Sequence, residues 1–265
     1  MQAFTLIQGS QPLLISIPHA GTYLPPALAA RLTDSARQVH DTDWHLERLY
    51  SFAEALGASV LIATHSRYVI DLNRDPSGAS LYPGQSVTGL CPVDDFNNQP
   101  LYHNPADVPS DAEIAQRRDS LWQTNHHQLQ TELARIKATH GQAVLWDAHS
   151  IRAKVPRFFD GKLPDLNLGS GNGSSCNPVL SASLLAIAQS APGYTAVLNG
   201  RFQGGYITRH YGQPAHNIHA IQLELTQCSY MQEAMPFNYL PEVAAGIQPY
   251  LQRMVEAALG FGQTE

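Results

Sequence analysis

The 265-residue sequence predicts an α/β fold of three layers, with a mainly parallel but mixed sheet and helices on both faces. Two observations support this prediction. Short apolar, β-prone runs alternate along the chain with longer segments of helical character. Two of these runs, 13–17 and 143–146, are closely followed by a histidine, as expected in open α/β sheets that bind ligands beyond the carboxyl ends of their strands.

These patterns assign the strands and helices. The predicted strands are residues 13–17, 59–63, 67–72, 143–147, 195–198 and 218–225, and the predicted helices are residues 25–36, 43–56, 111–139, 178–190 and 240–259. The helix 111–139 is marked by a possible cap at Ser110, an acidic residue three positions later and Gly141 after its end. The proline-rich segment 73–109 and the glycine- and asparagine-rich segment 160–177 fit neither element, and we expect them to form walls of an active site.

Composition excludes several classes of protein. The formal net charge is −6, the pI is near 6.0 and the basic residues are scattered, which argues against a nucleic-acid binder. Three separate cysteines form neither a disulfide framework nor a cysteine-rich zinc module. No signal pattern is visible, and no window approaches the ~20 apolar residues of a membrane span. We therefore expect a cytoplasmic protein without nucleic-acid or membrane partners, folded as one domain over residues 1–265, with its oligomeric state open.

His19 and His149 are the strongest candidates for metal ligands. A single histidine is more often a core or surface residue, as we expect for His126 and His127 in the middle of the long helix. His19 and His149 differ because each follows a buried strand and has small residues beside it, which leave room for an ion. A catalytic zinc site needs three protein ligands and one open position, so a third ligand is required.

The third ligand is less well defined. Asp41 and Asp43 lie together at the start of the predicted helix 43–56, where a carboxylate can also serve as a helix cap. We expect one of them to cap the helix and the other to bind metal. Asp43 is the favoured ligand, and Asp41 or neither is the alternative.

Two further segments carry polar groups suited to substrate binding. Asn73 and Arg74 stand at the end of the predicted strand 67–72, and the planar guanidinium of an arginine can hold a carboxylate by two parallel hydrogen bonds. A surface salt bridge of Arg74 to a neighbouring aspartate is the alternative. The glycine-rich segment 199–212, with its arginines and tyrosines, is expected to be a substrate-contact loop, the alternative being a flexible surface turn.

Glu224 is the candidate general base. It lies near the end of the predicted strand 218–225, where Ile221, Leu223 and Leu225 alternate with polar residues. A glutamate inside an apolar strand is costly unless it is paired or functional, and burial would raise its pKa toward the range of a working acid and base. The alternative is a structural carboxylate bonded to an arginine.

Six motifs lie in order between about residues 13 and 230. They are Pro18-His19-Ala20-Gly21, Asp41-x-Asp43-Trp44, Val69-Ile70-Asp71-Leu72-Asn73-Arg74, Asp147-Ala148-His149-Ser150, Gly204-Gly205-Tyr206-Ile207-Thr208-Arg209 and Gln222-Leu223-Glu224-Leu225. Each is weakly specific, but together they resemble the N-formylglutamate amidohydrolases, also called N-formylglutamate deformylases, of bacterial histidine degradation. A more distant likeness to the zinc carboxypeptidase and aspartoacylase group implies a zinc-carboxypeptidase-like sheet.

The resemblance implies a reaction and roles for these residues. The reaction is hydrolysis of the formyl amide of N-formyl-L-glutamate to L-glutamate and formate, with one Zn²⁺ or another divalent metal ion per chain. Asn73 and Arg74 would bind a substrate carboxylate, His149 would be a ligand and Glu224 the base. The distant relatives have a glutamate ligand where this chain has Thr22, which is why Asp43 is expected instead. Because the substrate carries two carboxylates, further cations are expected at the site, and the candidates are Arg209, Arg67 and Arg201.

Three other functions are weighed against this one. Removal of a different acyl group, such as succinyl or acetyl, from glutamate or aspartate is the alternative reaction, because the depth of the acyl pocket depends on the two long loops. A binding protein with a degraded site would lack some of His19, His149 and Glu224, and all three are present. A serine hydrolase is disfavoured because the chain has no Gly-x-Ser-x-Gly elbow.

Overall fold

Seven strands form one mixed sheet in the computed structural model, which describes residues 1–80 and 84–262. The strands are β1 (Phe4–Ile7), β2 (Leu13–Ile17), β3 (Ser59–Ala63), β4 (Ala143–Ile151), β5 (Leu166–Gly169), β6 (Ala196–Leu198) and β7 (Ile218–Thr226), in the spatial order β1-β3-β2-β4-β7-β5-β6. The four strands β3, β2, β4 and β7 are parallel, whereas β1 is antiparallel to β3, and β5 is antiparallel to β7 and parallel to β6. The carboxyl ends of β2, β4 and β7 therefore meet at one edge of the sheet.

Eight helices connect or flank the strands of the described chain. They are α1 (Pro26–Ala29), α2 (Leu46–Leu49), α3 (Phe52–Ala55), α4 (Asp111–Arg117), α5 (Gln123–His140), α6 (Pro178–Gln189), α7 (Tyr206–Tyr211) and α8 (Pro241–Gly260). A π-helical turn, Arg118–Trp122, joins α4 to α5, so the predicted long helix is present as two α-helical parts with an irregular turn between them. Its predicted ends are confirmed, because the Ser110 hydroxyl accepts a hydrogen bond from the Glu113 amide and Gly141 leaves the helix with φ of 75°.

Helices cover both faces of the sheet. Along β2, Leu13, Ile15 and Ile17 pack in one core with α2, α3, α6 and α8, while Leu14 faces a second core with α5 and α7. This period of two is the expected pattern for a strand buried on both faces. The predicted α/β class, with three layers and a mixed sheet, is confirmed. Within the described part of the chain, none of the helices combines the length and apolar composition that a bilayer crossing requires.

The predicted strand 67–72 is wrong. Its residues form turns, with the amide of Val69 bonded to the carbonyl of Ser66 and the amide of Asp71 bonded to the carbonyl of Leu90. The adjacent side chains Tyr68 and Val69 enter the same apolar cluster, which the alternation of a strand does not allow. The segment is apolar because it is a buried loop, and periodicity alone does not separate the two cases.

Two predicted helices are shorter than expected. Of residues 25–36, only α1 is helical, followed by a 3₁₀ turn at Ala36–Gln38. Residues 43–56 form two short helices, α2 and α3, because the amide of Asp43 bonds to the carbonyl of His19 and His45 adopts a left-handed conformation with φ of 61°. A helix cannot begin before Leu46 in this geometry.

Three elements were absent from the prediction. They are the edge strand β1, the four-residue strand β5 inside the segment 160–177, and α7 inside the segment 199–212. Residues 81–83 of the segment 73–109, which include the predicted loop residue Pro83, lie outside the described residues.

Candidate active site

One pocket of about 590 Å³ opens at the carboxyl ends of β2, β4 and β7. Its lining includes eight of the nine residues that the sequence analysis selects, which are His19, Asp43, Arg67, Asn73, Arg74, His149, Arg201 and Glu224. Arg209 is absent from this lining. The parallel strands bring together residues that lie far apart in the sequence, as expected for the crevice of an open α/β sheet.

His19, Asp43 and His149 form a group that could hold a metal ion. One ligand atom from each residue lies within 4.8 Å of the others, and all three residues are buried. Oδ2 of Asp43 is 3.2 Å from Nδ1 of His149 and 3.7 Å from Nδ1 of His19. Burial alone would raise the pKa of Asp43, but its contacts with His149 and His19 hold that pKa well below the ordinary value. The carboxylate is therefore charged, as a ligand needs to be.

The sequence left open whether Asp41 or Asp43 is the third candidate ligand, and the two aspartates have different surroundings in the structure. Asp41 turns away from the histidines, and its Oδ2 accepts hydrogen bonds of 2.9 Å from the hydroxyl of Tyr68 and the amide of Phe96. Burial raises the pKa of Asp41 to about 6. Neither aspartate caps α2, whose N-terminus has no side-chain cap, so the expected capping role is wrong. Asp43, and not Asp41, belongs to the group with the histidines.

A buried aspartate contacts the outer ring nitrogen of each histidine. Nε2 of His19 lies 2.7 Å from Oδ1 of Asp71, and Nε2 of His149 lies 3.1 Å from Oδ1 of Asp147. Carboxylates in this position fix the tautomer and orientation of a ligating imidazole. Burial opposes protonation of His149, yet Asp147 and Asp43 raise its pKa well above the ordinary value. Both Nδ1 atoms are thereby directed toward Asp43.

The sequence patterns suggested no role for Asp147 and named Asp71 only as a possible salt-bridge partner of Arg74, whose Nη2 lies 3.9 Å from Oδ2 of Asp71. Both aspartates stand in motifs quoted above. For Asp147 a signal was available. Residues two apart on a strand point to the same face, so a strand that continued through position 149 would place Asp147 beside His149. No comparable sequence signal pointed to a contact between Asp71 and His19, because residues 67–72 were predicted to form a strand and instead form a loop.

Glu224 is the direct neighbour of His149 across the parallel pair β4 and β7. It is 7 % exposed and lines the pocket. The side-chain amide of Gln222, two residues earlier on the same face, donates a hydrogen bond of 3.4 Å to Oε2. Burial raises the pKa of Glu224 to about 8. A carboxyl group of this pKa can both take up and release a proton near neutral pH.

Asn73 and Arg74 lie on the wall of the pocket, in the buried loop. Nδ2 of Asn73 is 3.0 Å from Nε2 of His149, and its Oδ1 accepts a hydrogen bond of 2.8 Å from the amide of Ile207 at the start of α7. The guanidinium of Arg74 donates to the carbonyl and the hydroxyl of Thr88. Asn73 thus contacts a residue of the candidate metal group as well as the pocket.

The other three candidate arginines, Arg67, Arg201 and Arg209, differ in their position relative to the pocket. Arg67 is buried, donates a hydrogen bond of 2.7 Å to Asp71 and stacks on the ring of Phe96, with the guanidinium carbon 4.8 Å from the ring centroid. Burial opposes its charge, but Asp71 and Asp43 raise the pKa of Arg67 above the ordinary value. Arg201 lines the pocket and donates to the carbonyl of Phe158. Arg209 donates to the carbonyl of Gly204 from within α7, and the structure does not bring it to the pocket.

Two loops meet at the wall of the pocket. Phe96 and Phe158 contact each other edge to face with ring centroids 4.9 Å apart, and both line the pocket. Arg157 joins the loops, because it donates to Asp94 at 2.8 Å and to the hydroxyl of Ser86 at 3.2 Å. Segment 73–109 therefore forms a wall as expected, whereas none of the residues 160–177 lines the pocket.

The fold and the site define a class of protein. An α/β sheet that presents a His/Asp/His group able to hold a metal ion beside a buried glutamate is compatible with the class of metal-dependent hydrolases. The family model described as N-formylglutamate amidohydrolase matches residues 11–231. The chain belongs to the N-formylglutamate amidohydrolase family, so the predicted family is confirmed, as is its class of enzyme, hydrolases of linear amides.

Two relatives agree with this assignment, and two solved structures share the fold. The chain is 50% identical over 256 residues to an N-formylglutamate deformylase of Pseudomonas aeruginosa, covering 97% of this chain and 96% of the relative. It is 49% identical over 255 residues to that of Pseudomonas putida, covering 96% and 95%. The fold matches the crystal structure of an N-formylglutamate amidohydrolase from Ralstonia eutropha with a TM-score of 0.80 and 22% identity over 97% and 98% of the two chains. A gene product of Agrobacterium tumefaciens gives a TM-score of 0.73 with 18% identity over 97% and 95%.

Proposed function

We propose that this protein hydrolyses the formyl amide of N-formyl-L-glutamate to L-glutamate and formate, as the last step of a histidine degradation route. The observation that carries the proposal is the meeting of His19, Asp43, His149 and Glu224 in one pocket of a chain from this family. The names of the two Pseudomonas relatives, each about half identical to this chain, support the substrate.

We further propose that His19, Asp43 and His149 hold one zinc ion per chain. The donor set fits, because two imidazoles and one carboxylate are ligands that catalytic zinc takes, with a fourth position open. Oδ1 of Asp43 is buried, makes no hydrogen bond and lies 3.7 Å from Nη1 of Arg67, so this oxygen is still able to bind a metal ion. When bound, zinc would polarise the formyl oxygen and make water more acidic. Another divalent metal is compatible with the same ligands.

Glu224 acts as the general base and then as the general acid. It takes a proton from the attacking water, whose oxygen forms a bond to the formyl carbon. It then delivers this proton to the amide nitrogen as the carbon–nitrogen bond breaks, which gives the free amine of glutamate and formate. A cation held beside His149 would lower the pKa of Glu224 from its raised value, because an opposite charge favours the carboxylate.

The arginines at the pocket bind the two carboxylates of the substrate. Arg74 and Arg201 both line the pocket and are the cations proposed for direct contact, with Asn73 as a neutral donor. Arg67 is held by Asp71, which supports a role in balancing the buried carboxylates more than a role in substrate binding. The contacting rings of Phe96 and Phe158, which line the pocket, exclude water from the reacting amide.

The remaining expectations are proposals of the same kind. The joining of all seven described strands in one sheet supports a single metallo-amidohydrolase domain. The cytoplasmic location, the absence of nucleic-acid partners and the role of Arg209 as a further substrate contact stay predictions.

The test is release of glutamate and formate from N-formyl-L-glutamate by the purified protein. Activity should be lost on thorough chelation and restored by Zn²⁺. Activity that survives demetallation would contradict the metal proposal. Absence of turnover by zinc-loaded protein, with turnover of N-succinyl- or N-acetylglutamate instead, would replace the proposed substrate by another acyl amino acid.

A further inference from the structure

Asp147 and Thr208 are buried near His149 and do not line the pocket. Oδ2 of Asp147 accepts a hydrogen bond of 2.9 Å from the hydroxyl of Thr208, and Oδ1 of the same carboxylate lies 3.1 Å from Nε2 of His149. Both Asp147 and Thr208 are 0 % exposed. The three side chains form a continuous chain of polar contacts that runs from α7 to the candidate metal group.

Thr208 determines how the carboxylate of Asp147 can rotate. Its hydroxyl holds one oxygen, which leaves the other oxygen 3.1 Å from Nε2 of His149, as an ion-pair contact without a hydrogen bond. Without this hydroxyl, Oδ2 would be a buried acceptor that has lost its donor, and the carboxylate would rotate or draw in water. Either change moves the oxygen that faces Nε2 of His149.

The position of Thr208 is itself fixed by α7. The start of the helix is held by the amide of Ile207, which donates to Asn73, and by the amide of Gly205, which donates to Gln222 at 2.7 Å. The methyl group of Thr208 packs close to Gly204, where an added Cβ would lie 3.1 Å from Cγ2. A rigid helix therefore presents the hydroxyl at one place, as a positioning element requires.

We infer that Thr208 and Asp147 are positioning residues, which set the ring orientation and tautomer of His149 so that Nδ1 faces the metal. The inference rests on the proposed function in so far as His149 is taken to be a zinc ligand. Partners of ligating histidines contribute to metal affinity and activity, typically ~10- to 100-fold. Neither residue contacts the pocket, so both act through His149.

The first experiment compares Thr208→Val with Thr208→Ser. Valine keeps the shape of threonine but has no hydroxyl, whereas serine keeps the hydroxyl and loses the methyl group. We expect Thr208→Val to bind Zn²⁺ roughly 10- to 100-fold more weakly in competition with a chromophoric chelator. At saturating zinc its kcat should fall while KM for N-formyl-L-glutamate is unchanged. Thr208→Ser should retain both properties. Wild-type zinc affinity in Thr208→Val, or an equal loss in both variants, would overturn the inference.

Asp147→Asn provides a second route, which also covers the case that Thr208→Val does not fold. It keeps the shape of the side chain but removes the charge that faces His149, so zinc affinity should fall at least as far as in Thr208→Val. In the Asp147→Asn background, Thr208→Val should cause little further loss, because both act through one contact. Independent, additive losses, or unchanged affinity in Asp147→Asn, would contradict the inference.

The zinc measurement also separates failure of this inference from failure of the proposed function. If the wild-type protein itself binds no zinc, the proposed zinc site fails and the inference fails with it, whereas the proposed hydrolysis is still tested separately by release of glutamate and formate. If the wild-type protein binds zinc and the variants bind it equally well, only the roles of Thr208 and Asp147 are refuted.

Discussion

Nε2 of His19 lies 2.7 Å from Oδ1 of Asp71, across 52 positions of the chain. The other oxygen of Asp71 accepts a hydrogen bond of 2.7 Å from Arg67, so the carboxylate is held from two sides. This contact leaves Nδ1 of His19 directed toward Asp43. The geometry of the candidate metal group is thus determined by a loop residue that does not line the pocket.

Replacement of the proposed base tests the chemical step. Glu224→Gln should lower kcat by roughly 10²- to 10⁴-fold, because proton transfer by a positioned side chain contributes about that much. Zinc content, measured by atomic absorption, should be unchanged. The matched control is Glu54→Gln on the exposed side of α3, which should behave as wild type. Wild-type turnover by Glu224→Gln would remove Glu224 from the mechanism.

The choice between the two aspartates can be measured directly. Asp43→Asn should weaken zinc binding by more than the ~10- to 100-fold lost when only a partner of a ligand is removed. Asp41→Asn should still bind one zinc per chain, since Asp41 contacts Tyr68 and the amide of Phe96 instead. Titration of each metal-free variant with Zn²⁺ gives the comparison. The opposite order of affinities would make Asp41 the ligand.

The close approach of Asn73 to the start of α7 depends on Gly205. A Cβ at this position would lie 2.3 Å from Nδ2 of Asn73, so Gly205→Ala must displace that side chain from His149. We expect kcat/KM to fall about 100-fold, the scale of a 1 Å misplacement at a reacting site. Gly260→Ala is the matched control, because nothing lies within 4 Å of the added Cβ. Equal activities of the two variants would show that the position of Asn73 is unimportant.

Recognition of the substrate carboxylate is tested at Arg74. Arg74→Ala should lower kcat/KM by roughly 10- to 100-fold, since hydrogen bonds to charged groups contribute about 1.5–3 kcal/mol. Zinc content should stay at the wild-type value. Arg253→Ala, at an exposed position of α8, is the control. If N-formyl-L-glutamate is turned over normally by Arg74→Ala, the carboxylate binds elsewhere.

The pH dependence of stability should show the titration of His126. This residue is 4 % exposed, and its Nε2–H donates to the carbonyl of Leu72 while Nδ1 accepts from the hydroxyl of Tyr211. Burial lowers the pKa of His126 from 6.5 to about 4, so between these values the unfolded chain binds a proton and the folded protein does not. Stability should therefore fall as the pH drops from 6.5 to 4, by up to about 1.4 kcal/mol per pH unit from this group.

Denaturant unfolding at pH 7, 6, 5 and 4 measures this loss. His126→Gln should show a shallower decline than the wild-type protein. The neighbouring His127→Gln, at an exposed position, should keep the full decline. Parallel stability curves for wild type and His126→Gln would show that another group causes the acid sensitivity.

The strands that carry the site were predictable because their apolar runs are strong signals. The runs at β2 and β4 placed His19 and His149 at one edge, and the alternation around Glu224 placed it in a buried strand. Since parallel strands share one edge, the pocket followed from the sequence. The strand predicted over residues 143–147 continues to Ile151 in the structure. His149 therefore lies within β4 and not after its end.

Other features depend on contacts that local patterns do not encode. The loop around Asp71 is apolar because it is buried against two clusters, so it had the composition of a strand. The helix α7 follows two glycines, which favoured a loop, although Tyr206–Tyr211 contains neither glycine nor proline. Strand β5 has only four residues and is defined by its pairing with β7. In each case tertiary structure decided between local alternatives.

The nine-residue pairing of β4 with β7 sets Asp147 opposite Gln222 and His149 opposite Glu224. The intervening residues Ala148 and Leu223 belong to the core on the other face. Slipping one strand by a single residue would exchange these faces, placing charge among apolar side chains and turning apolar side chains toward the pocket. The same register thus encodes both the fold and the alignment of base with candidate ligand. A change of this register would therefore remove the fold and the alignment of Glu224 with His149 together.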